Sequence, residues 1–339
     1  MTSADNTQVE AKNRSLWGDV WSQFRTHKGA MLGMIVFAII LFGVTAGPFL
    51  WKTDPQYLDI RAKNTFPMVS CFFTGSQMAQ CFTDPTSIKF FDPDAEVLER
   101  IKVSWAHPIG TDQLGRDLLA QLLQGGRVSL AVGMTAMLLS LVLGTVVGVV
   151  AGYFKRLDGP LMRATDLFLA LPLLPLLLVI IMLFRDTLRN AFGPETGIFL
   201  LIVFIIGITS WMQTARIVRG DVLALKEREF ILAANSIGTP SNRIITRHIL
   251  PNILSPIMVS ATLGVATAII TESALSFLGL GFPSDFPTWG RLLFDGTTFI
   301  QQSPARVIWP GLAISLTVLS VNFIGDGLRD ALDPRIRGR

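Results

Sequence analysis

Between Gly29 and Trp51 the chain carries 23 residues without one charged side chain. A helix of that length rises about 35 Å, enough to cross the ~30 Å hydrocarbon core of a bilayer. The stretch is longer than a signal-peptide apolar region and has no A-x-A exit, so it reads as an uncleaved span. Comparable runs recur at 129–154, 167–184, 197–214, 251–280 and 305–323, which makes six. A backbone in lipid must satisfy its own hydrogen bonds, so runs of this kind fold as helices or as a closed barrel. Their length selects helices, and the expected class is an all-α polytopic membrane protein.

Composition agrees. The 339 residues are 50% hydrophobic and only 16% charged, with mean hydropathy +0.50; a soluble domain carries about 25% charge. The net charge of +4 fits cytoplasmic Lys and Arg beside a membrane and gives no reason to expect nucleic-acid binding. His27, His107 and His248 are scattered without ligand spacing, and no metal site is expected.

Residues 1–28 read as a tail followed by an interfacial helix. Residues 1–13 are polar, with the character of a disordered terminus. Leu16, Trp17, Val20, Trp21 and Phe24 then share one helical face, opposite Arg14, Asp19, Gln23 and Arg25, the pattern of a helix at headgroup depth. The first span (29–51) is followed by a long section, 52–128, rich in Pro, Asp, Phe and Thr and holding both cysteines, Cys71 and Cys81. Near its end lies His107-Pro-Ile-Gly-Thr-Asp-Gln-Leu-Gly-Arg-Asp117. No nucleophile–base pair accompanies these residues, so they are expected to fix a tight turn.

The core, 129–326, holds the other five spans. Gly144, Gly148 and Gly152 fall on one face of the second, a stripe that lets helix backbones pack closely in lipid. Lys155–Pro160 reads as a short turn, and Pro172 and Pro175 predict a kinked or broken start to the third span. Glu272 lies inside the fifth span, where a carboxylate faces a cavity or a partner; a structural or pathway-lining role is expected. The tail is 327–339.

Residues 226–251, within the loop 219–251, form a polar island between two apolar segments. Glu229–Ile237 reads as a helix with adjacent Ala233 and Ala234. Gly238 would end it at positive φ, Thr239 would cap a second helix with Pro240 at its first position, and Pro251 would stop or kink the next segment. The two alanines would let another surface approach the backbone.

Charge bias orients the chain. With the first end inside, that side holds 17 Lys and Arg and the short opposite loops 185–196 and 282–306 hold four. Both termini and the 219–251 island are thus expected in the cytoplasm. The 52–128 section is expected outside it, where disulfides persist, so Cys71 and Cys81 are expected to be bonded.

Ala233-Ala234-x-x-x-Gly238, followed after a spacer by Ile249-Leu250-Pro251, resembles the EAA loop of bacterial ATP-binding-cassette importer permeases. The family motif often carries glutamate directly before the alanines; here that residue is Leu232, and Glu229 stands one turn earlier. The 107–117 run, Thr271–Gly281, Pro287–Gly290 and Gly325–Arg335 resemble segments of the dipeptide, oligopeptide and nickel permeases. The resemblance implies a type I importer fold with six spans in the bacterial inner membrane, and a coupling helix carrying Glu229, Ala233, Ala234, Gly238 and Pro251. It also implies a second permease, two ATPase subunits and a periplasmic solute-binding protein as partners, and alternating access for di- or oligopeptides, or for nickel. No Gly-x4-Gly-Lys-Ser/Thr loop, zinc motif or nucleophile elbow is present. The chain is therefore expected to be no enzyme and to bind no cofactor, with ATP held by partner subunits. A secondary transporter would predict several intramembrane charges or paired broken helices, and Glu272 is the one clear intramembrane carboxylate.

Overall fold

Five of the six apolar runs become single helices and the third is split between two, and most of the helices outlast their apolar runs. The computed structural model describes residues 16–73, 88–89, 100–101, 104–283 and 286–332. The polar tail 1–13, Cys81 and the end of the 327–339 tail lie outside the described residues. The helices are α1 (Leu16–Thr26), α2 (Lys28–Leu50), α3 (Leu118–Tyr153), α4 (Lys155–Ala170), α5 (Leu173–Phe192), α6 (Pro194–Lys226), α7 (Glu229–Ser236), α8 (Ser241–Ile244), α9 (Leu250–Phe277), α10 (Trp289–Thr297) and α11 (Ala305–Leu332). Five candidate spans are continuous helices (α2, α3, α6, α8 running into α9, and α11), and α4 with α5 makes a sixth, bent by 88°.

The bend falls at Leu171-Pro172, where Pro172 occupies the N-cap of α5. That is the broken start the prolines predict, but the segment before it differs. Lys155–Pro160 is the beginning of α4, not a turn. The chain reverses in one residue, Phe154, which ends α3 and begins α4. Asp158 sits in the first turn of α4, where a carboxylate suits the helix dipole. The Arg219 guanidinium of α6 donates to it, with Nη2 2.7 Å from Oδ2. Arg216 donates likewise to Asp166. α6 runs about twelve residues beyond its expected end at Thr214, and these two pairs tie that extension to α4.

α3 and α6 form the centre of the molecule. The glycine stripe lies in their seam: a Cβ added at Gly148 would stand 2.6 Å from the Ala215 carbonyl oxygen and 2.7 Å from Val218 Cβ. Gly144 and Gly152 meet Thr214 and Val222 as closely. Around this seam Val128, Val132 and Ala136 of α3, Ile198 to Ile206 of α6, Leu177 and Ile181 of α5 and Leu275 of α9 share one buried core.

α1 turns Val20 and Phe24 against Ala30 of α2 and Ala331 of α11, leaving Trp21 exposed. The last helix runs to Leu332 and not to Phe323, since Gly327 admits Ala30 and Phe24 at its surface. The 52–128 section contains short 3-10 turns at Ile60–Ala62 and Met68–Phe73. It also contains a two-residue antiparallel ladder pairing Ile88 with Ile101.

Candidate functional site

The polar island folds as a helix, a glycine turn and a second helix leading straight into a span. α6 ends where Lys226 Nζ donates to the Tyr153 carbonyl (2.8 Å) and rests over the Tyr153 ring. α7 comes next, and its end is closed by a Schellman motif. The Thr239 N–H donates to the Ala234 carbonyl (3.1 Å) and the Gly238 N–H to that of Asn235 (3.0 Å). Gly238 has φ +75° and nothing within 4 Å of an added Cβ, so glycine is required there by conformation and not by space.

Two expectations shift. The N-cap of α8 is Pro240 (ψ 143°), one residue later than Thr239, and Ser241 takes the first helical position. Pro251 neither stops nor sharply kinks the chain, which crosses from Ser241 to Phe277 as one span. Proline has no N–H for the carbonyl four residues back. The wide π turn at Ile245–Ile249, just ahead of Leu250-Pro251, takes up that break in the ladder.

The two alanines of the motif differ in burial. Ala234 is 8% exposed and belongs to a core made by this chain itself, with Ile231, Ile244, Ile249, Ile253, Val218 and Val222. Ala233 is exposed, as are Glu229, Phe230, Leu232 and Ile237, the last at 83%. Of the two alanines only Ala233 lies on the outward face, so the expectation that both do is corrected. The signal was in the spacing: Ile231 and Ala234 are three residues apart and share a helical stripe.

Glu272 is fully buried. Its Oε2 accepts from Ser129 Oγ on α3 (2.9 Å) and its Oε1 from Ser276 Oγ one turn on (2.7 Å). Ser129 Oγ in turn accepts the Trp289 N–H (3.2 Å), and Trp289 Nε1 donates to the Leu122 carbonyl (2.9 Å). This chain of bonds ties α9, α3 and the start of α10 together. Both oxygens of this enclosed carboxylate are thus met by hydroxyls of the chain itself.

The 107–117 run is a second polar knot, as its turn-fixing reading anticipates. Asp117 caps α3 by accepting from the Ala120 N–H (2.8 Å), and its other oxygen lies 2.7 Å from His107 Nδ1. Asp112 accepts from the Leu114 and Arg116 N–H groups and from Arg116 Nε. Gly115, at φ +83°, has the Asp59 carbonyl where a Cβ would stand. Sequence reasoning missed the anchor of this knot. Arg306, buried at the start of α11, donates to Gln113 Oε1 (3.1 Å), the Thr111 carbonyl (3.3 Å) and Asn64. Its partners lie up to 242 residues away, beyond any local pattern. Nearby on α10, burial pushes the Asp295 carboxyl above its usual range, against the opposing pull of Arg291. Cys71 is buried and disulfide-bonded; the chain's other cysteine, Cys81, lies outside the described residues.

Among the described residues no three metal-ligating side chains cluster. A cavity of about 200 Å³ opens between α3, α6, α9 and the α4–α5 bend.

Residues 129–338 match the family model for the binding-protein-dependent transport system inner membrane component. Residues 15–67 match that for the N-terminal transmembrane domain of oligopeptide transport permease C. The chain is 36% identical over 324 residues to the dipeptide transport system permease protein DppC of Alkalihalophilus pseudofirmus, covering 95% of this chain and 91% of the relative. It is 33% identical over 337 residues to the oligopeptide transport system permease protein OppC of Bacillus subtilis, covering 99% and 95%. A chain of the MetNI methionine ABC transporter, solved in inward-facing conformations, superposes with TM-score 0.50 at 18% identity, over 63% of this chain and 97% of that one. The fold is thus the type I importer permease fold in a multi-pass inner-membrane protein, and the chain belongs to the family of binding-protein-dependent transport system inner membrane components.

Proposed function

We propose that this chain is the permease subunit of an ATP-driven, binding-protein-dependent importer of di- or oligopeptides. In this reading it forms half of the translocation path beside a second, related permease. Two ATPase subunits bind ATP, of which this chain binds none, and a periplasmic protein delivers the solute. Closure of the ATPases draws the coupling loops together, and the spans change from outward to inward access. Both termini and the 219–251 loop lie in the cytoplasm.

The observation that carries this reading is the outward face of α7. Phe230, Leu232, Ala233 and Ile237 expose apolar surface on a loop rich in charge, while Ile231 and Ala234 hold the helix firmly to the spans behind it. An exposed apolar patch rimmed by polar residues is a protein-contact surface, and one braced on α6 and α9 can move those helices when it is pulled. Glu229 supplies a carboxylate at its edge, and Gly238 and Pro251 set the direction of the chain beyond it. The names of the relatives support peptides as the solute.

The test is uptake by cells expressing the complete transporter. Ile237→Arg should leave the protein in the membrane at normal level and abolish uptake of a labelled tripeptide and the stimulation of ATPase activity by loaded binding protein. Normal uptake in Ile237→Arg would remove this surface from the coupling. Wild-type cells that took up nickel but no peptide would move the solute to the alternative class.

A further inference from the structure

The cavity between α3, α6, α9 and the α4–α5 bend has walls of an unusual kind for a bundle in lipid. Ser140, Thr209, Ser210, Gln213 and Thr267 line it, Thr214 and Ser260 close it from within by a mutual hydroxyl bond of 2.9 Å, and no lining residue is charged. The remainder of the wall is Leu, Ile, Met and Phe side chains and Gly264. The threonines at 209 and 267 return their hydroxyl protons to carbonyls of their own helices, Ile205 and Leu263. Gln213 does not. It is exposed, lies near the end of the α6 apolar run, three residues before Arg216, and its amide has no hydrogen-bond partner among the described residues. A primary amide carries two donors and an acceptor, and leaving these against hydrocarbon is costly. Gln213 therefore faces water or another polar molecule in the working protein.

Two further facts define the occupant. At about 200 Å³ the cavity is smaller than the roughly 300–1,000 Å³ of a ligand pocket, so a solute site here needs a second wall from another chain. The lining can also exchange hydrogen bonds with amides and carbonyls but offers no countercharge to an ionised side chain.

We infer that this cavity is the chain's contribution to the solute path, and that Gln213 reads the peptide backbone by amide hydrogen bonds and is indifferent to side-chain charge. The inference rests on the peptide-importer reading. Neutral, cationic and anionic peptides would pass with similar ease because every peptide presents the same backbone groups. Specificity for charge, where the transporter has any, would then reside outside this cavity.

The experiment measures uptake of a neutral, a lysine-containing and a glutamate-containing tripeptide by the complete transporter carrying Gln213→Ala, Gln213→Glu or Gln213→Lys. Gln213→Ala should slow all three by a similar factor, about fivefold for a lost hydrogen bond. Gln213→Glu should depress the glutamate peptide about tenfold or more relative to the lysine peptide, and Gln213→Lys should reverse that order. Unchanged ratios among the three peptides in both charged variants would overturn the inference. Should those variants fail to assemble, Gln213→Cys in the assembled complex decides. A membrane-impermeant thiol reagent should label it, and saturating loaded binding protein with ATP should alter the labelling rate. A residue that stays unlabelled in every nucleotide state would be in lipid or sealed, and the inference would fall. A wild-type transporter that imported no peptide at all would instead sink the importer reading itself.

Discussion

The Glu272 knot and the α7 face break the same rule in opposite directions. One places a carboxylate among apolar spans, the other places Phe230, Leu232 and Ile237 in water. Glu272 has a donor on each oxygen, and each donor comes from a helix or turn that must be in place for the fold to exist. Its hydrogen bonds are all met within the chain. The α7 face has firm internal support on one side and, among the described residues, little beyond a tilted Phe230–His248 ring contact on the other. What distinguishes a structural exception from a functional one is thus whether the chain itself supplies the partner, not how unusual the residue is.

The sharpest way to break this contrast is to remove the carboxylate. Glu272→Leu would leave the Ser129 and Ser276 hydroxyls without an acceptor in a site that excludes water, and would unlink Trp289 from α9. At about 1–3 kcal/mol for each stranded polar group, a loss above roughly 3 kcal/mol is expected. Membrane levels and the melting temperature in detergent should both drop, and Glu272→Gln, which keeps an acceptor, should retain more of both. A Glu272→Leu protein of normal stability that failed only in transport would make the residue functional after all.

The adjacent alanines offer a finer test, because they differ in facing and in little else. Ala234→Trp must force its ring among Ile231, Ile244 and Val222, and overpacking of that kind costs about 1–3 kcal/mol. It should lower the amount of protein. Ala233→Trp, on the outward face, should leave the amount unchanged and cut peptide uptake and ATPase stimulation. Equal protein levels with equal uptake defects would show that the two faces are not distinct in the assembled transporter.

Much of this was legible from residues alone. Length and apolarity revealed the spans, Gly238 announced a positive φ, Pro172 marked the bend and the glycine stripe marked the tight seam. The failures share a cause. Arg216 and Arg219 looked like the end of a span because their carboxylates, Asp166 and Asp158, are 50 and 61 residues away. Lys155–Pro160 looked like a turn for the same reason. Arg306 has its hydrogen-bond partners 193 to 242 residues away. Local pattern records how a helix can meet lipid or water; it does not record which charge another helix will bring.

Gly238 gives a smaller effect. Gly238→Val would have to hold a β-branched residue at φ +75°, a cost of about 1–2 kcal/mol in an exposed turn with room for the side chain. The protein should remain in the membrane, with α8 misdirected and uptake reduced several-fold. Gly238→Asn, which tolerates that region, should restore most of the activity. Equal activity in the two variants would detach the turn's conformation from its role.

Least should come of Leu232→Glu, and that is its value. Leu232 is 48% exposed on the same outward face as Ala233, and glutamate is the residue the importer loops often carry before their paired alanines. It closes the first turn of α7, where a carboxylate is helped by the helix dipole, and exposed substitutions of this kind stay within about 0.5 kcal/mol. Stability and membrane level should match those of the unaltered protein. Uptake should persist, because a docking groove that tolerates glutamate in related loops has water or a cation near that position, and Glu229, one turn earlier and also exposed, already presents a carboxylate there. The measurement is uptake rate at equal protein level in Leu232→Glu and in Leu232→Glu with Glu229→Gln. If the double variant transports normally while Glu229→Gln alone is slow, the two positions serve one carboxylate-binding contact. If Leu232→Glu alone abolishes uptake at full membrane level, the apolar side chain is itself the contact, and the outward face of α7 works by hydrophobic burial throughout.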